Sequence, residues 1–261
     1  MASATHDELA QRLRAAYSSG PVPPLRDGLE PTDADGAYAV QTINTRYWLS
    51  HGRRIVGRKA GLTAKSVQQQ LGVDHPDFGV LFEDMRIEDG ATLEASRTLQ
   101  PKVEGEIAFL LAKDLLDAET TAVVAADAIG SVHASIEVVD SRIADWKITF
   151  ADTVADNGSS AFFVIAPQGK PLEGLDVWTA GMVMEVNGQI ASLGAGAAAL
   201  GNPLNSLAWL ARTLAARGEP LKAGDVVLAG ALGPMVALQP GDHVRAVVGG
   251  IGECSFTYGR T

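Results

Sequence analysis

The chain has 261 residues, of which 46% are hydrophobic, enough for one large domain or two small ones with a packed core. It carries 31 acidic against 21 basic residues, and this net charge of −10 disfavours nucleic acid and anionic membranes as partners. The single cysteine, Cys254, excludes an internal disulfide, and we expect no leader and no membrane-spanning segment. A cytoplasmic protein is expected. The negative net charge does not exclude small anionic substrates, because a bound cation can reverse the electrostatic field locally.

The first third of the chain is predicted to be mostly helical. Apolar residues recur at helical spacing over 7–18 and from 33 or 35 to 50. A short apolar run follows at 54–61, in which two glycines bracket two cations. A further short helix is predicted over 64–71, ended by a glycine. The turn-forming residues at 74–79 predict a surface loop rather than a regular element.

Beyond Met85 the pattern changes to strands separated by glycine and aspartate turns. One helix is predicted over 120–132 and another from Asn202 to about Arg217, where an Asn-Pro pair begins the helix. An Asn-Gly pair inside 182–190 predicts a hairpin, because that pair supplies the positive φ angles of a type I′ turn. The change of pattern predicts two domains, a small helical lobe over residues 1–85 and a larger β-rich one over 86–261.

Two glutamates share one face of the strand-like run at 100–111. Side chains alternate along a strand, so Glu104 and Glu106 point one way while Val103, Ile107 and Phe109 point the other way. A third carboxylate, Glu137, lies in the strand-like run at 135–139. Oxygen ligands of this kind suit Mg²⁺ or Mn²⁺ better than Zn²⁺. The same spacing is also typical of the solvated face of an amphipathic strand, so on spacing alone both readings stand.

Several common functional motifs are absent from the sequence. It contains no complete dinucleotide fingerprint, no phosphate-binding loop and no G-x-S-x-G nucleophile elbow, so a nucleotide cofactor and an α/β-type serine hydrolase are not expected. The five histidines have no zinc-like spacing. His75 alone is a candidate for chemistry, because it neighbours Asp77 in a polar segment.

Five stretches together resemble one known family. They are VGRKAGLT at 56–63, QQQLGVDHPDFG at 68–79, EGEI at 104–107, DTVADN at 152–157 and GALGPM at 230–235. These stretches resemble the 2-keto-4-pentenoate hydratases, in the hydratase/decarboxylase branch of the fumarylacetoacetate-hydrolase-like superfamily. The resemblance extends over nearly the whole chain from about residue 37 to 258.

The resemblance implies a fold class and a set of site residues. The fold would be α+β, a mixed β-sandwich roll with a smaller helical N-terminal lobe. The metal carboxylates of the family fall on Glu104, Glu106 and Glu137. Its acid–base groups fall on Lys59 and Asp77. Ser160, in the polar cluster at 156–160 where the family lines its pocket, is the residue expected to contact the substrate carboxylate.

The resemblance also implies an activity. The enzyme would be a hydro-lyase that adds water to 2-hydroxypenta-2,4-dienoate, giving 4-hydroxy-2-oxopentanoate in meta-cleavage catabolism of aromatic compounds, with Mg²⁺ or Mn²⁺ as cofactor. The substrate would be protonated at its far end before water adds to the conjugated carbon. A lysine beside a dication should lose its proton more readily than usual, so Lys59 would shuttle protons near neutral pH, and Asp77 would orient or deprotonate the water.

Three alternatives stay open at this point. A 4-oxalocrotonate decarboxylase would use the same scaffold and the same metal. Hydrolysis of an acylpyruvate needs a carboxylate–histidine pair, for which only His75 is a candidate. A non-catalytic subunit that stabilises a partner enzyme is the third. Self-association is expected by resemblance, with association to an aldolase or decarboxylase of the same pathway, while neither nucleic acid nor membrane is expected as a partner.

Overall fold

A computed structural model describes residues 4–260 of the chain. The helices are α1 (His6–Ser19), α2 (Ala34–Ser50), α3 (Lys65–Gln70), α4 (Ala122–Asp127), α5 (Phe150–Ala155) and α6 (Pro203–Ala216). Local signals set several of their ends. Thr5 and Glu8 form a capping box at the start of α1, and the Asn202 side chain accepts a hydrogen bond from the Leu204 N–H at the start of α6. Within residues 4–260, no helix has the length and apolar character needed to cross a membrane.

The strands form two sheets. They are β1 (Ile55–Gly61), β2 (Asp77–Phe82), β3 (Arg86–Ile87), β4 (Thr92–Leu93), β5 (Pro101–Leu111), β6 (Ile129–Asp140), β7 (Ser160–Ile165), β8 (Gly181–Val186), β9 (Gln189–Ala195), β10 (Val226–Leu228), β11 (Val236–Ala237), β12 (His243–Val248) and β13 (Gly252–Tyr258). The larger sheet has eight strands in the order β2-β1-β10-β5-β6-β7-β3, with β11 also paired to β5. The smaller sheet has five strands in the order β4-β13-β12-β8-β9.

The main core lies where the smaller sheet packs against the centre of the larger one. Strand β5 contacts β8 and β12, and β6 contacts β12 and β13. The apolar face of β5 enters this core, with Val103, Ile107 and Phe109 all fully buried. The alternation along β5 therefore turns Glu104 and Glu106 to the opposite face of the sheet, as predicted. The predicted α+β class is confirmed.

Two predictions of local structure were wrong. The segment 74–79 is not wholly a surface loop, since β2 begins at Asp77 and all of its residues are buried. The helix predicted over 120–132 ends at Asp127, and Ile129 already begins the 12-residue strand β6. In both places pairing with a distant strand overrides the local sequence preference. Asp77 pairs with Gly61 of β1, and Ile129 pairs with Leu111 of β5.

The predicted hairpin over 182–190 is confirmed as β8 and β9. Asn187 and Gly188 between these strands have φ angles of 55° and 75°, as a type I′ turn requires. The division into domains near residue 85 stays a prediction, and residues 1–3 and 261 of the two predicted domains lie outside the described part. Strands β1 and β2 precede that division and belong to the same sheet as β5.

Candidate metal centre and active site

Three glutamates meet on the face of the larger sheet opposite the main core. The antiparallel register of β5 and β6 places Glu104 directly opposite Glu137, and Glu106 is two residues further along β5 on the same face. One oxygen from each of the three carboxylates lies within 4.8 Å of the other two. Glu106 and Glu137 are fully buried. The pairing of two long strands therefore brings together the three glutamates that the resemblance implied as metal ligands.

The hydrogen bonding of this cluster fits a divalent cation. Oε2 of Glu106 accepts a hydrogen bond from the Gly230 N–H at 2.8 Å. In the part of the chain that the structure describes, Oε1 of Glu106 and both carboxylate oxygens of Glu137 are buried and have no hydrogen-bond partner. Burial and the neighbouring carboxylates raise the pKa of Glu104 to about 7 and raise the pKa of Glu106 well above its usual value. Buried acceptors without a hydrogen bond are costly unless a cation balances their charge, and three carboxylates are an oxygen donor set that suits a divalent cation.

Strands β1 and β2 bring a lysine and an aspartate to the same face. In their antiparallel register Gly61 pairs with Asp77 and Lys59 pairs with Gly79, so the two side chains are neighbours along one edge of the site. Lys59 is 4% exposed and Asp77 is 1% exposed. The Lys59 Nζ lies 3.7 Å from Oε1 of Glu137. The structure thus brings together all five of the residues predicted to be catalytic or to bind metal.

The charges around this edge oppose the expectation that Lys59 loses its proton easily. Burial lowers the pKa of Lys59, but the carboxylates of Glu137, Asp77, Glu104 and Glu106 outweigh burial and hold this pKa above its usual value. A dication on the glutamates would offset part of that effect. Burial raises the pKa of Asp77, and the Lys59 ammonium opposes the rise. Within residues 4–260, Oδ1 of Asp77 is buried and has no hydrogen-bond partner.

Ser160 lies further along the sheet than the other predicted residues. It is the first residue of β7 and sits opposite Val139, two residues beyond Glu137 on β6. Its hydroxyl is buried without a hydrogen-bond partner and lines a cavity of about 380 Å³, whose wall also includes Asn157 and Arg142. The predicted contact between Ser160 and substrate stays a prediction.

Sequence reasoning missed Arg142. Its side chain is 1% exposed, and Nε donates a hydrogen bond to Oδ1 of Asp156 at 2.5 Å. Nη1 and Nη2 donate to the carbonyl oxygens of Ser160 and Asp156. An arginine just after a strand is not part of any recognisable sequence motif. Its acidic partner Asp156 is 14 positions away, so no local sequence pattern predicts this ion pair.

Comparison with known proteins identifies the family. The model of the fumarylacetoacetate (FAA) hydrolase C-terminal family matches residues 53–257. The chain belongs to this family. Among its relatives, 2-keto-4-pentenoate hydratase of Paraburkholderia xenovorans is 50% identical over 95% of this chain and 92% of its own. The 2-hydroxyhexa-2,4-dienoate hydratase of Comamonas testosteroni is 43% identical over 95% of each chain.

A solved structure similar to this chain supports the fold and a divalent-metal centre. The 4-oxalocrotonate decarboxylase of Pseudomonas putida G7, complexed with magnesium and adipate, superposes with a TM-score of 0.91 at 32% identity, covering 99% of this chain and 100% of that one. The same enzyme is also known with calcium and acetate. Divalent metals in this relative agree with the glutamate cluster of the present chain.

The FAA hydrolase fold leaves a cleft beyond the Asp77 end of β2. Its volume is about 590 Å³, and its lining includes Thr63, Gln68, Pro76, Ala198 and Leu200. Pro76 directly precedes Asp77, so the cleft begins beside the predicted acid–base residue. Its lining mixes small apolar residues with polar and charged ones, among them Lys65 and Asp74.

His75 does not form the carboxylate–histidine pair that acylpyruvate hydrolysis needs. Its Nδ1 lies 3.0 Å from the carbonyl oxygen of Pro76, and its ring packs edge-on against Phe150. Within residues 4–260, no hydrogen bond or ion pair joins the exposed His75 side chain to a carboxylate. Among the alternatives, the geometry therefore gives hydrolysis no support.

Proposed function

We propose that this chain is a divalent-metal-dependent hydro-lyase that adds water to 2-hydroxypenta-2,4-dienoate and releases 4-hydroxy-2-oxopentanoate, a reaction of meta-cleavage catabolism of aromatic compounds. The observation that carries the proposal is the buried Lys59–Asp77 pair beside three converging glutamates. The named activities of relatives that share half of the sequence support it. A lysine and an aspartate beside a metal centre supply the proton transfers that hydration of a dienol needs.

Glu104, Glu106 and Glu137 would hold the metal, and Mg²⁺ or Mn²⁺ is the proposed ion. Three carboxylates accept either of these ions. When bound, the ion supplies Lewis-acid stabilisation of negative charge that develops on the substrate oxygens at C1 and C2.

Lys59 and Asp77 would divide the proton transfers. The surrounding carboxylates keep a proton on the Lys59 Nζ, so Lys59 is placed to protonate the far carbon of the dienol. The C2 hydroxyl gives up its own proton in the same tautomerisation, which leaves the α,β-unsaturated ketone. Asp77 has a buried oxygen with no hydrogen-bond partner and is placed to orient or deprotonate the water that then adds to the conjugated carbon. Burial of both groups excludes bulk water from the proton transfer. Ser160 remains the proposed contact of the substrate carboxylate.

The decisive experiment follows the ultraviolet absorbance of freshly made 2-hydroxypenta-2,4-dienoate with purified protein and Mg²⁺ or Mn²⁺. We expect metal-dependent decay of the dienoate to 4-hydroxy-2-oxopentanoate, and loss of that decay in Glu106→Gln. This substitution keeps the side-chain volume and an acceptor for the Gly230 N–H but removes one charge of the metal centre. Absence of decay with folded, metal-loaded wild type would reject the hydratase.

Decarboxylation of 4-oxalocrotonate is the second candidate. The superposition on a 4-oxalocrotonate decarboxylase over 99% of this chain favours it. In that reaction no water is added, so Asp77 would have no water to activate. Carbon dioxide release from 4-oxalocrotonate, measured beside dienoate hydration with the same protein, distinguishes the two candidates.

We further propose that the protein acts in the cytoplasm as a homo-oligomer and associates with an aldolase or decarboxylase of the same pathway. Its small-molecule site and the names of its relatives support a place in a catabolic sequence. The reaction that supplies the dienoate and the one that cleaves the hydroxy-oxo acid are the steps for which such an association would matter.

A further inference from the structure

The segment from Asp156 to Ser160 has an unusual backbone. Asn157, Gly158 and Ser159 follow one another with φ angles of 58°, 61° and 55°, all in the left-handed region. This conformation is less favourable by roughly 1–2 kcal/mol for a residue other than glycine. Two such residues in succession persist only where the surrounding structure holds them.

One arginine clamps both ends of this segment. The Arg142 guanidinium donates to Oδ1 and to the carbonyl oxygen of Asp156 at 2.5 and 2.6 Å, and to the carbonyl oxygen of Ser160 at 3.2 Å. The backbone N–H of Arg142 also donates to Oδ2 of Asp156, at 2.9 Å. The rigid fork of donors in a guanidinium suits such a clamp, which the single ammonium of a lysine cannot reproduce.

A second contact fixes the middle of the segment to β2. The Asn157 side chain accepts a hydrogen bond from the Val80 N–H at 2.7 Å and donates one to the Val80 carbonyl oxygen at 2.9 Å. The Asn157 backbone passes so close to Gly79 that a Cβ at Gly79 would lie 2.4 Å from the Asn157 carbonyl oxygen. Strand β2 and the segment are thereby joined beside Asp77.

The segment packs directly on the end of the Lys59 side chain. A Cβ added to Gly158 would lie 2.6 Å from the Lys59 Cε, 3.0 Å from its Nζ and 3.7 Å from Oδ1 of Asp77. Ordinary carbon–carbon contact is about 3.5–4.0 Å, so even one methyl group at Gly158 has no room unless the lysine moves by roughly 1 Å.

We propose that the segment 156–160 is the device that positions the Lys59 ammonium between Asp77 and Glu137, with Gly158 as its contact and Arg142 as its clamp. The inference rests on the proposed function, in which Lys59 transfers a proton. It assigns positioning roles, since neither Gly158 nor Arg142 belongs to the predicted catalytic set. Within residues 4–260, no hydrogen bond to the three glutamates comes from this segment, so proton transfer and metal binding should respond separately.

The first test substitutes Gly158 by alanine. Because misplacement by about 1 Å can cost up to about 100-fold in rate, we expect kcat for dienoate hydration to fall between about 10-fold and 100-fold. The Kd for Mn²⁺ should stay within about twofold of wild type. A purely structural defect would instead weaken Mn²⁺ binding along with kcat.

The matched control is Gly188→Ala in the β8–β9 turn. Gly188 has a φ of 75°, and nothing lies within 4 Å of a Cβ added there. This variant therefore has an alanine in the left-handed backbone conformation, with the same kind of backbone strain, but its added methyl group contacts no other atom of the described residues. It should keep wild-type kcat, and an equal loss of kcat in both variants would overturn the inference.

A crystal structure of each variant gives a readout that does not depend on the reaction. In Gly158→Ala the Lys59 Nζ should be displaced by roughly 1 Å from its wild-type place, and in Gly188→Ala it should not move. An unmoved Nζ in Gly158→Ala overturns the positioning role whatever the activity is. Hydration by wild type but not by Lys59→Met, together with full activity of Gly158→Ala, would reject this inference alone. An inactive wild type rejects the proposed function, and the crystallographic comparison still decides the positioning.

Arg142→Lys is the second variant, used also if Gly158→Ala fails to fold. It keeps the positive charge opposite Asp156 but loses the fork that reaches Ser160. We expect kcat to fall at least about 10-fold while Mn²⁺ binding is retained. Wild-type kcat in this variant would show that charge alone suffices and would overturn the clamp.

Discussion

At the scale of single residues, a substitution at Lys59 distinguishes an effect on proton transfer from an effect on metal binding. Lys59→Met keeps an unbranched apolar side chain but removes the ammonium that lies 3.7 Å from Glu137. Loss of a positioned acid or base costs about 100-fold or more in rate, so we expect a fall in kcat of that size. Since an ammonium repels a dication, Mn²⁺ should bind as tightly as in wild type, or more tightly.

Two measurements check this prediction on the same protein samples. Dienoate absorbance gives kcat, and electron paramagnetic resonance of free Mn²⁺ gives the Kd. Comparable hydration rates in Lys59→Met and wild type would remove Lys59 from the mechanism. Weaker Mn²⁺ binding together with a lower rate would instead mean that the substitution disturbs the glutamate cluster.

Asp77 shows where residue-level prediction stops. The turn-forming neighbours His75 and Pro76 predicted a loop, but Asp77 begins a buried strand because it pairs with Gly61 of β1. Its place in the site came from the resemblance and not from the local pattern. Arg142 gave no signal at all, since its clamp exists only once Asp156 and Ser160 have folded around it. The role of a residue whose partners are distant in sequence cannot be predicted from the spacing of its neighbours along the chain.

At the scale of elements, the pairing of β5 with β6 makes metal binding depend on pH. Burial raises the pKa of Glu104 from 4.5 to about 7, so below pH 7 this carboxyl holds a proton that the metal must displace. Affinity for Mn²⁺ therefore rises with pH as Glu104 loses this proton. Loss of the proton from Glu104 alone should make Mn²⁺ binding about tenfold tighter at pH 8 than at pH 6. Glu106, whose pKa is raised also, steepens the rise.

A Mn²⁺ titration at several pH values checks this dependence. Glu88→Gln is the matched control, because Glu88 is a glutamate whose side chain is 80% exposed and far from the cluster in sequence. It should reproduce the wild-type profile. An affinity that stays constant between pH 6 and pH 8 would contradict the raised pKa of Glu104 and the burial that causes it.

Elements with local signals were predicted best. The helices α1 and α6 have their capping residues next to them, and the β8–β9 hairpin has its Asn-Gly turn. The prediction of a helix over 120–132 was wrong at its C-terminal end, because the residues from Ile129 onward form strand β6 and pair with β5. Parallel pairing of β1 with β10, which joins Gly57 to Val226, brings together strands far apart in sequence. No periodicity within either strand encodes that partner.

At the scale of the whole molecule, the site opposes folding until a cation occupies it. Four carboxylates and one ammonium share a largely buried region, and three carboxylate oxygens of Glu106 and Glu137 have no hydrogen-bond partner there. Ligand that binds only the folded state stabilises by mass action, about 2.7 kcal/mol at a concentration of 100 Kd. For a chain of this size that corresponds to a rise in Tm of roughly 5–10 °C.

Thermal melting with and without Mn²⁺ tests this prediction against the one alternative that lies outside catalysis, a non-catalytic partner subunit. Wild type should show the rise in Tm, and Glu106→Gln should lose most of it because one charge of the cluster is gone. Without metal, Glu106→Gln should melt at or above the wild-type temperature, since it removes a buried carboxyl whose pKa is raised well above its usual value. A subunit kept only as a scaffold has no reason to retain a cluster that destabilises it without metal. Equal melting of wild type with and without Mn²⁺ would therefore favour the scaffold, and a rise confined to wild type would favour the enzyme.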